Sequence, residues 1–427
     1  MKKALMVMLS VLMVVSMFQP VQAEKVTLKM FHYLEVTDPV AMKNWDEVLT
    51  AFKTANPDIE LELEYLTNEP YHNKLQTLSV ANELPDVMFL WPDKRTGYVT
   101  ASGKIKDLRE FLKGHESEFV DGALVPQGPN GEIYELPEQM TDTHVMFVNE
   151  KLLKDLGLTF PNTLDELIAQ GEKIRAAGLI PIAMTNKDGW QMQSCLLSAL
   201  TERAGGMEWY KKALKGDGAS FADAEFVNAL RVIETLSKNQ MFMPGINQAD
   251  YGSDMTEFVN EKAVYWIDGG WRVNNLVTEL KPEQKEYISL RTFPAIPDQK
   301  GQAGSTATVA GTGHGMNVAL DGAKAEAAWK WIWFYSGPEG SKIRRKNGAL
   351  PAYKLPMQED LDPMIKKLAE FVATTPAGYV LDSVLDAEGM GVLQPAIQEM
   401  ILGAKTPEQV AQEYEAWVAA NDSNRKK

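Results

Sequence analysis

A chain of 427 residues is too long for one small core and suggests about two domains. Its apolar share of 45% and charged share of 24% are those of an ordinary globular protein, and its net charge of −15 disfavours nucleic acid phosphates and anionic lipid headgroups as partners. Cys195 is the single cysteine, so no intrachain disulfide can form; in the apolar stretch Cys195-Leu196-Leu197 it reads as a buried, unreactive thiol.

Met1-Lys2-Lys3, an apolar run from Ala4 to Phe18, and Val21-Gln22-Ala23 have the three-part layout of a cleavable secretory signal peptide over residues 1–23. The expected location of the mature chain is therefore periplasmic or otherwise extracytoplasmic. After Ala23 no second apolar run reaches membrane-spanning length. Val26 to Met30 alternates apolar and polar residues and predicts a strand. Met42 to Ala55 carries Trp45, Val48, Leu49 and Phe52 at helical spacing and is stopped by Asn56-Pro57-Asp58. Ile59 to Tyr65 alternates strictly, Tyr71 to Ala81 reads as a helix, and Pro85 to Leu90 as a short apolar strand. This alternation predicts a parallel α/β sheet with crossover helices.

The middle of the chain is mostly helical in pattern. Thr163-Leu164-Asp165-Glu166 is a capping box, and Ser336-Gly337-Pro338-Glu339 and Thr406-Pro407-Glu408-Gln409 have the same form. Phe226, Leu230, Ile233 and Leu236 share a helical face. Residues Phe293 to Pro297 and Gly301 to Gly315 read as loops, and Gly311-Thr312-Gly313-His314-Gly315 within them as flexible or closely packed.

Motifs with fixed catalytic meaning are missing. The chain has no H-E-x-x-H, C-x-x-C, P-loop or G-x-S-x-G, and its five histidines lack metal-ligand spacing, so no cofactor or metal is expected. Glu138 and Asp142 are the carboxylates a glycosidase reading would use, with a spacing the sequence leaves open.

Ten tryptophans are many, and several stand beside polar residues. Trp91 precedes Pro92-Asp93-Lys94-Arg95, Trp190 follows Lys187-Asp188-Gly189, and Trp271 lies in Asp268-Gly269-Gly270-Trp271-Arg272. Such pairing suits carbohydrate, whose apolar C–H face stacks on an aromatic ring while its hydroxyls take charged or amide partners. Core packing is the alternative for every tryptophan. It is preferred for Trp329 and Trp333, four residues apart on a helix, but not for Trp91 and Trp271, whose acidic and glycine neighbours make a poor core.

At this point the chain resembles the family 1 extracellular solute-binding proteins of ABC importers, a group that includes maltodextrin- and oligosaccharide-binding proteins. The segments that carry the resemblance run in order over nearly all of the chain after Ala23. They include Asn56-Pro57-Asp58-Ile59, Leu84-Pro85-Asp86-Val87 before Trp91, and Ser102-Gly103-Lys104-Ile105. Gly131-Glu132-Ile133-Tyr134, Phe147-Val148-Asn149-Glu150 and Pro161-Asn162-Thr163-Leu164 follow, then Phe258-Val259-Asn260-Glu261 before Gly269-Gly270-Trp271, and Gly403-Ala404-Lys405-Thr406-Pro407-Glu408.

The resemblance implies a two-lobed periplasmic-binding-protein fold of type II, with a ligand cleft between lobes and three hinge crossings near Tyr134–Pro137, Arg291–Pro294 and Ser336–Leu350. The implied lobes are 24–134 plus 294–336, and 137–292 plus 350–427. By local match, Asp93 and Lys94 take the place of an acidic-basic pair that bonds sugar hydroxyls, Asp142 a cleft carboxylate, Trp271 a stacking ring and Trp190 another cleft aromatic. A late aromatic of the family meets Ala387-Glu388-Gly389-Met390 here, which shifts the expectation to Tyr379. Glu35, Glu138 and His314 are added for their positions at strand ends or loops. The implied function is a non-enzymatic, monomeric receptor that binds a mono- or oligosaccharide and delivers it to membrane permease subunits. A receptor for a cationic or small polar solute such as a polyamine, and a secreted carbohydrate-active enzyme, are the alternatives.

Overall fold

The computed structural model describes residues 25–356, 360–421 and 425. The expected signal peptide lies outside the described residues. Twelve strands are present among them: β1 (Val26–Tyr33), β2 (Ile59–Leu66), β3 (Val87–Leu90), β4 (Leu136–Pro137), β5 (Met140–Asp142), β6 (Val145–Asn149), β7 (Ile180–Ala183), β8 (Ala263–Asp268), β9 (Ile288–Arg291), β10 (Thr306–Ala310), β11 (Gly313–Met316) and β12 (Ala377–Gly378). They form a five-stranded sheet in the order β2-β1-β3-β11-β4, a four-stranded sheet β7-β8-β6-β9, and a small sheet β12-β10-β5. Each of the two larger sheets is the centre of one lobe.

The first lobe follows from the alternation in its sequence. β1 pairs in parallel with β2 from Val26 opposite Ile59 to Tyr33 opposite Leu66, and with β3 at Met30 opposite Val87. Helices Pro39–Ala55 and Asn68–Ala81 supply the crossovers. Trp45, Val48, Leu49 and Phe52 of the first helix are buried in one core cluster, as their spacing predicts. The sheet is not wholly parallel, because β11 returns antiparallel to β3 and β4. The segment Gly301 to Gly315, expected to be loop, therefore contains β10 and most of β11.

These glycine-rich strands sit where backbones cross closely. A Cβ on Gly311 would lie 1.7 Å from the Gln139 carbonyl oxygen, and one on Gly313 1.9 Å from that of Leu136. Glycine is needed there for close approach rather than for unusual torsion angles.

The lobes are joined through the small sheet. β5 lies between β4 of the first lobe and β6 of the second, and pairs antiparallel with β10, which leads into β11. A third segment runs beside them, with Pro351 bridged to Gln139 and the Ala352 amide donating to the Glu138 carbonyl at 3.1 Å. Two of the expected crossings shift. Phe293 and Ile296 join the second lobe's core, and the buried Arg203 guanidinium donates to the carbonyls of Phe293, Pro294 and Ser305. Residues Pro294 to Ser305, expected in the first lobe, thus pack on the second, and the chain crosses between Ala310 and Gly313. Helix Pro338–Lys346 and Ala352 still pack with the first lobe, so the last crossing follows Lys354.

Local capping also refines the sequence pattern. Thr406 and Gln409 form a reciprocal box, with the Gln409 amide donating to Thr406 Oγ1 at 3.3 Å and the Thr406 amide to Gln409 Oε1 at 2.9 Å. Thr163 Oγ1 accepts from the Glu166 amide, but Glu166 turns back to the amide of Asn162. Ser336 caps nothing: it ends helix Gly322–Ser336 and donates instead to the Leu136 carbonyl at 2.8 Å. Trp329 and Trp333 are partly buried against the first core, 5.7 Å apart. Cys195 is buried, its thiol pushed well up by burial.

Candidate functional site

A cavity of about 390 Å³ lies between the lobes and is lined by both. On the first lobe it is bordered by Tyr33 at the end of β1, Glu35 just beyond it, and Trp91 and Arg95 after β3. These are carboxyl ends of parallel strands, where side chains project past the sheet edge into open space. The Trp91 ring meets Tyr33 edge-on at 4.9 Å and Phe89 at 5.1 Å, and the Arg95 guanidinium stands 5.7 Å from its centre. These contacts fix the indole and leave it partly exposed.

The second lobe contributes Trp190, Tyr251 and Trp271. Trp190 and Tyr251 meet edge-on at 4.7 Å, and the Trp190 and Trp271 centres are 6.0 Å apart. Trp271 Nε1 donates to the Tyr251 hydroxyl at 2.8 Å, and the Arg272 guanidinium lies 3.9 Å above the Tyr251 ring. Arg272 Nε donates in turn to buried Asp268 at 3.0 Å. Burial pushes the Asp268 carboxyl up to about 6 despite that cation. Trp271, Tyr251, Arg272 and Asp268 are therefore one packed unit rather than four independent side chains.

The polar lining is nearly balanced in charge. Glu35 accepts from the Thr37 hydroxyl at 2.6 Å. Asp38 caps helix Pro39–Ala55 by accepting from the Val40 amide at 2.8 Å, and also accepts from Asn275 of the other lobe at 2.9 Å. Asp382 accepts from Arg95 across the lobes at 2.5 Å and from Ser194 at 3.2 Å. Ser194 belongs to the π-helix Met192–Leu197, a form of helix that recurs at functional sites. Arg272 Nη2 and Asn274 Oδ1 are buried without a hydrogen-bond partner, and both residues line the cavity.

Of the residues singled out in the sequence, Glu35, Trp91, Glu138, Trp190 and Trp271 line this cavity. Glu138 accepts from Tyr335 at 2.6 Å, Thr312 at 3.1 Å and Arg344 at 3.3 Å, so its oxygens already serve the hinge. Asp93 opens the turn Asp93–Thr96. Lys94 and Tyr379 line a separate groove between the lobes. Asp142 is buried outside the cavity lining, one oxygen bonded to Thr308 and the other unpartnered, and burial pushes its carboxyl up to about 6. His314 is fully buried behind the cavity, with Nε2 3.1 Å from His32 Nδ1, and burial holds His32 down at about 3. Tyr33, Asp38, Tyr251 and Asp382 carried no local sequence signal, because the fold brings them in from separate parts of the chain: the end of β1, a helix cap, a turn and a short helix. Arg95 and Arg272 directly adjoin the tryptophan motifs.

A family profile described as bacterial extracellular solute-binding protein matches residues 37–342. The chain belongs to this family. A curated relative, the multiple sugar-binding protein of Streptococcus mutans, is 22% identical to this solute-binding protein over 294 residues. That match covers 66% of this chain and 65% of the relative. Among solved structures, one from work on xylan utilization by the thermophilic bacterium Caldanaerobius polysaccharolyticus superposes with a TM-score of 0.82 at 22% identity, covering 92% of this chain and 99% of that one. A chitin oligosaccharide binding protein superposes with a TM-score of 0.81 at 23% identity, covering 92% and 98%. At these identities the superpositions establish a shared two-lobed fold. Among the described residues, no helix of the solute-binding protein is long and apolar enough to cross a membrane, and no group of three or more His, Cys, Asp or Glu is placed to hold a metal ion.

Proposed function

We propose that the protein is an exported, monomeric receptor that binds a mono- or oligosaccharide between its lobes and delivers it to the permease of an ABC importer. One observation carries the reading: Trp91 of one lobe and Trp190 and Trp271 of the other line a single cavity that also holds arginine, carboxylate and amide groups. Aromatic faces take the apolar side of a pyranose, and the polar groups take its hydroxyls. Relatives named for sugar and chitin oligosaccharide binding agree with this chemistry. Closure follows from the geometry, since only apposed lobes offer both sets of contacts, and a ligand shifts the population toward the state it binds better.

The charge pattern weighs against a cationic solute. The lining acids Asp38, Glu138 and Asp382 are bonded to protein donors, and Arg95, Arg272 and Arg344 offset them. The arrangement also favours binding over hydrolysis, because Glu138 is engaged by three donors and Asp142 lies outside the lining. Titration calorimetry against mono- and oligosaccharides of xylose, glucose and N-acetylglucosamine tests the proposal. Dissociation constants on the order of micromolar, with no product after prolonged incubation, are expected. Binding of spermidine with no response to any sugar, or release of smaller sugars, would overturn it.

A further inference from the structure

The aromatic cluster of the second lobe is tied to a carboxylate outside the cavity lining. Asp254 is fully buried, the second residue of helix Ser253–Val259. It accepts from N–H donors in three parts of the chain. Gln191 Nε2 donates to Oδ2 at 2.7 Å, Trp266 Nε1 to the same oxygen at 3.0 Å, and the Gly252 amide to Oδ1 at 3.2 Å. Each donor adjoins a cavity ring. Gln191 follows Trp190, Gly252 follows Tyr251, and Trp266 stands on β8, whose end leads into Trp271. Gln191 is itself fully engaged. It also donates to the Ile267 carbonyl at 3.1 Å, and its Oε1 accepts from the Thr185 amide at 3.2 Å and from the Thr185 hydroxyl.

We infer that Asp254 is a positioning residue for the sugar site. Through Gln191 and Gly252 it holds the segments that carry Trp190 and Tyr251, and through Tyr251 it holds the ring of Trp271. The inference rests on the receptor reading for its ligand, and on hydrogen bonds alone for the order of the rings. A buried carboxylate binds such donors more strongly than a neutral acceptor does. Removing it leaves buried donors unpaired, and the segments that carry them shift to find partners. Rings loosened in this way must be re-ordered each time a ligand binds.

The test compares wild type with Asp254→Ala, Asp254→Asn and Gln191→Met, with Tyr265→Phe as a control. Tyr265 is next to Trp266 on β8 and so faces the opposite side of the sheet, where its hydroxyl donates to Gln170 at 2.7 Å. The readouts are calorimetry with the sugars that wild type binds and fluorine NMR of protein labelled with 5-fluorotryptophan. Asp254→Ala and Gln191→Met should each weaken sugar binding about tenfold, the cost of re-ordering two loosened side chains. Asp254→Asn keeps an acceptor oxygen for Gln191 and Trp266 and should recover most of that loss. Tyr265→Phe should lower the unfolding midpoint and leave affinity unchanged. Without ligand, the Trp190 and Trp271 resonances should move and broaden in Asp254→Ala while that of Trp91 stays. Should Asp254→Ala not fold, Gln191→Met cuts the same bond and carries both readouts. Native affinity, or unmoved Trp190 and Trp271 resonances, in the folded variant would overturn the positioning role alone. Wild type that binds no sugar, with the resonances still moving in the variant, would overturn the receptor reading and leave the ring order standing.

Discussion

Trp271 shows how a single residue can be prepared for a ligand. Its N–H is already bonded to Tyr251, whose ring is clamped by Arg272, so the indole is oriented before anything binds. A preordered ring loses little entropy on stacking, which makes it a strong anchor. Trp271→Ala should weaken sugar binding by about 2 kcal/mol or more, roughly 30-fold, measured by calorimetry on protein with unchanged circular dichroism. Unchanged affinity would remove Trp271 from the site. Asp142 makes a different residue-scale prediction. Its carboxyl is raised to about 6 by burial, whereas an unfolded aspartate titrates near ~3.9. The folded state therefore binds the proton more tightly, and the resulting stability is full below about pH 4 and is lost as pH rises through about 6. Asp142→Asn removes this dependence. The unfolding free energy of wild type minus that of Asp142→Asn should fall by about 3 kcal/mol between pH 3.5 and pH 7.5. A difference that stays flat with pH would contradict the buried, half-satisfied carboxylate.

At the scale of elements, the hinge depends on three segments passing within backbone contact of one another. Gly311 and Gly313 permit this, and a methyl group at Gly311 has no flexible side chain to displace, only the Gln139 backbone. Gly311→Ala should destabilise the fold by ~1–3 kcal/mol through overpacking and lower ligand affinity by misaligning the lobes, seen in chemical denaturation and calorimetry. A fully stable variant with native affinity would show that the crossing segments are loosely packed. The sequence announced the surroundings of this hinge unevenly. The βαβαβ run from Val26 to Leu90 was legible because period-2 and period-3.6 patterns alternate there and Asn56-Pro57 punctuates them. β10 and β11 were not, since Gly, Ser and Thr crowd the stretch from Gly301 to Gly315 and read as loop, and neither Thr-Ala-Thr-Val-Ala nor Gly-His-Gly-Met carries a run of large apolar residues. Residues 294–305 were placed in the first lobe by the sequence because what holds them on the second is Arg203, a helical residue some ninety or more positions away. The same holds for the candidate site. Tryptophans beside glycine and acid stand out as poor core residues, while Tyr251 and Asp382 look ordinary until folding places them in the cavity.

The whole molecule is held closed by contacts that do not need a ligand. Asp38–Asn275, Arg95–Asp382 and Lys94–Asp386 all bridge the lobes around the cavity. Each is a polar contact of modest strength, about 1 kcal/mol or less for ion pairs near the surface, so together they bias an open–closed balance without fixing it. Such a bias raises apparent affinity, since less binding energy is spent on closure. It also has a cost in selectivity, because a cleft that closes unaided reaches the closed form without cargo. The side chains of Lys94 and Asp386 are 27% and 21% exposed, enough for salt to act on them, whereas Arg95 and Asp382 are shielded at 17% and 11%. Solution X-ray scattering separates these contributions. The ligand-free protein should expand slightly as salt rises from ~0.05 M to ~0.5 M, and Lys94→Ala should already be expanded at low salt and respond less to added salt. Saturating sugar should return both proteins to one compact radius, because cavity contacts then dominate the balance. If ligand-free wild type and Lys94→Ala scatter identically at every salt concentration, the Lys94–Asp386 pair does not hold the lobes, and closure must come from Arg95–Asp382 and Asp38–Asn275.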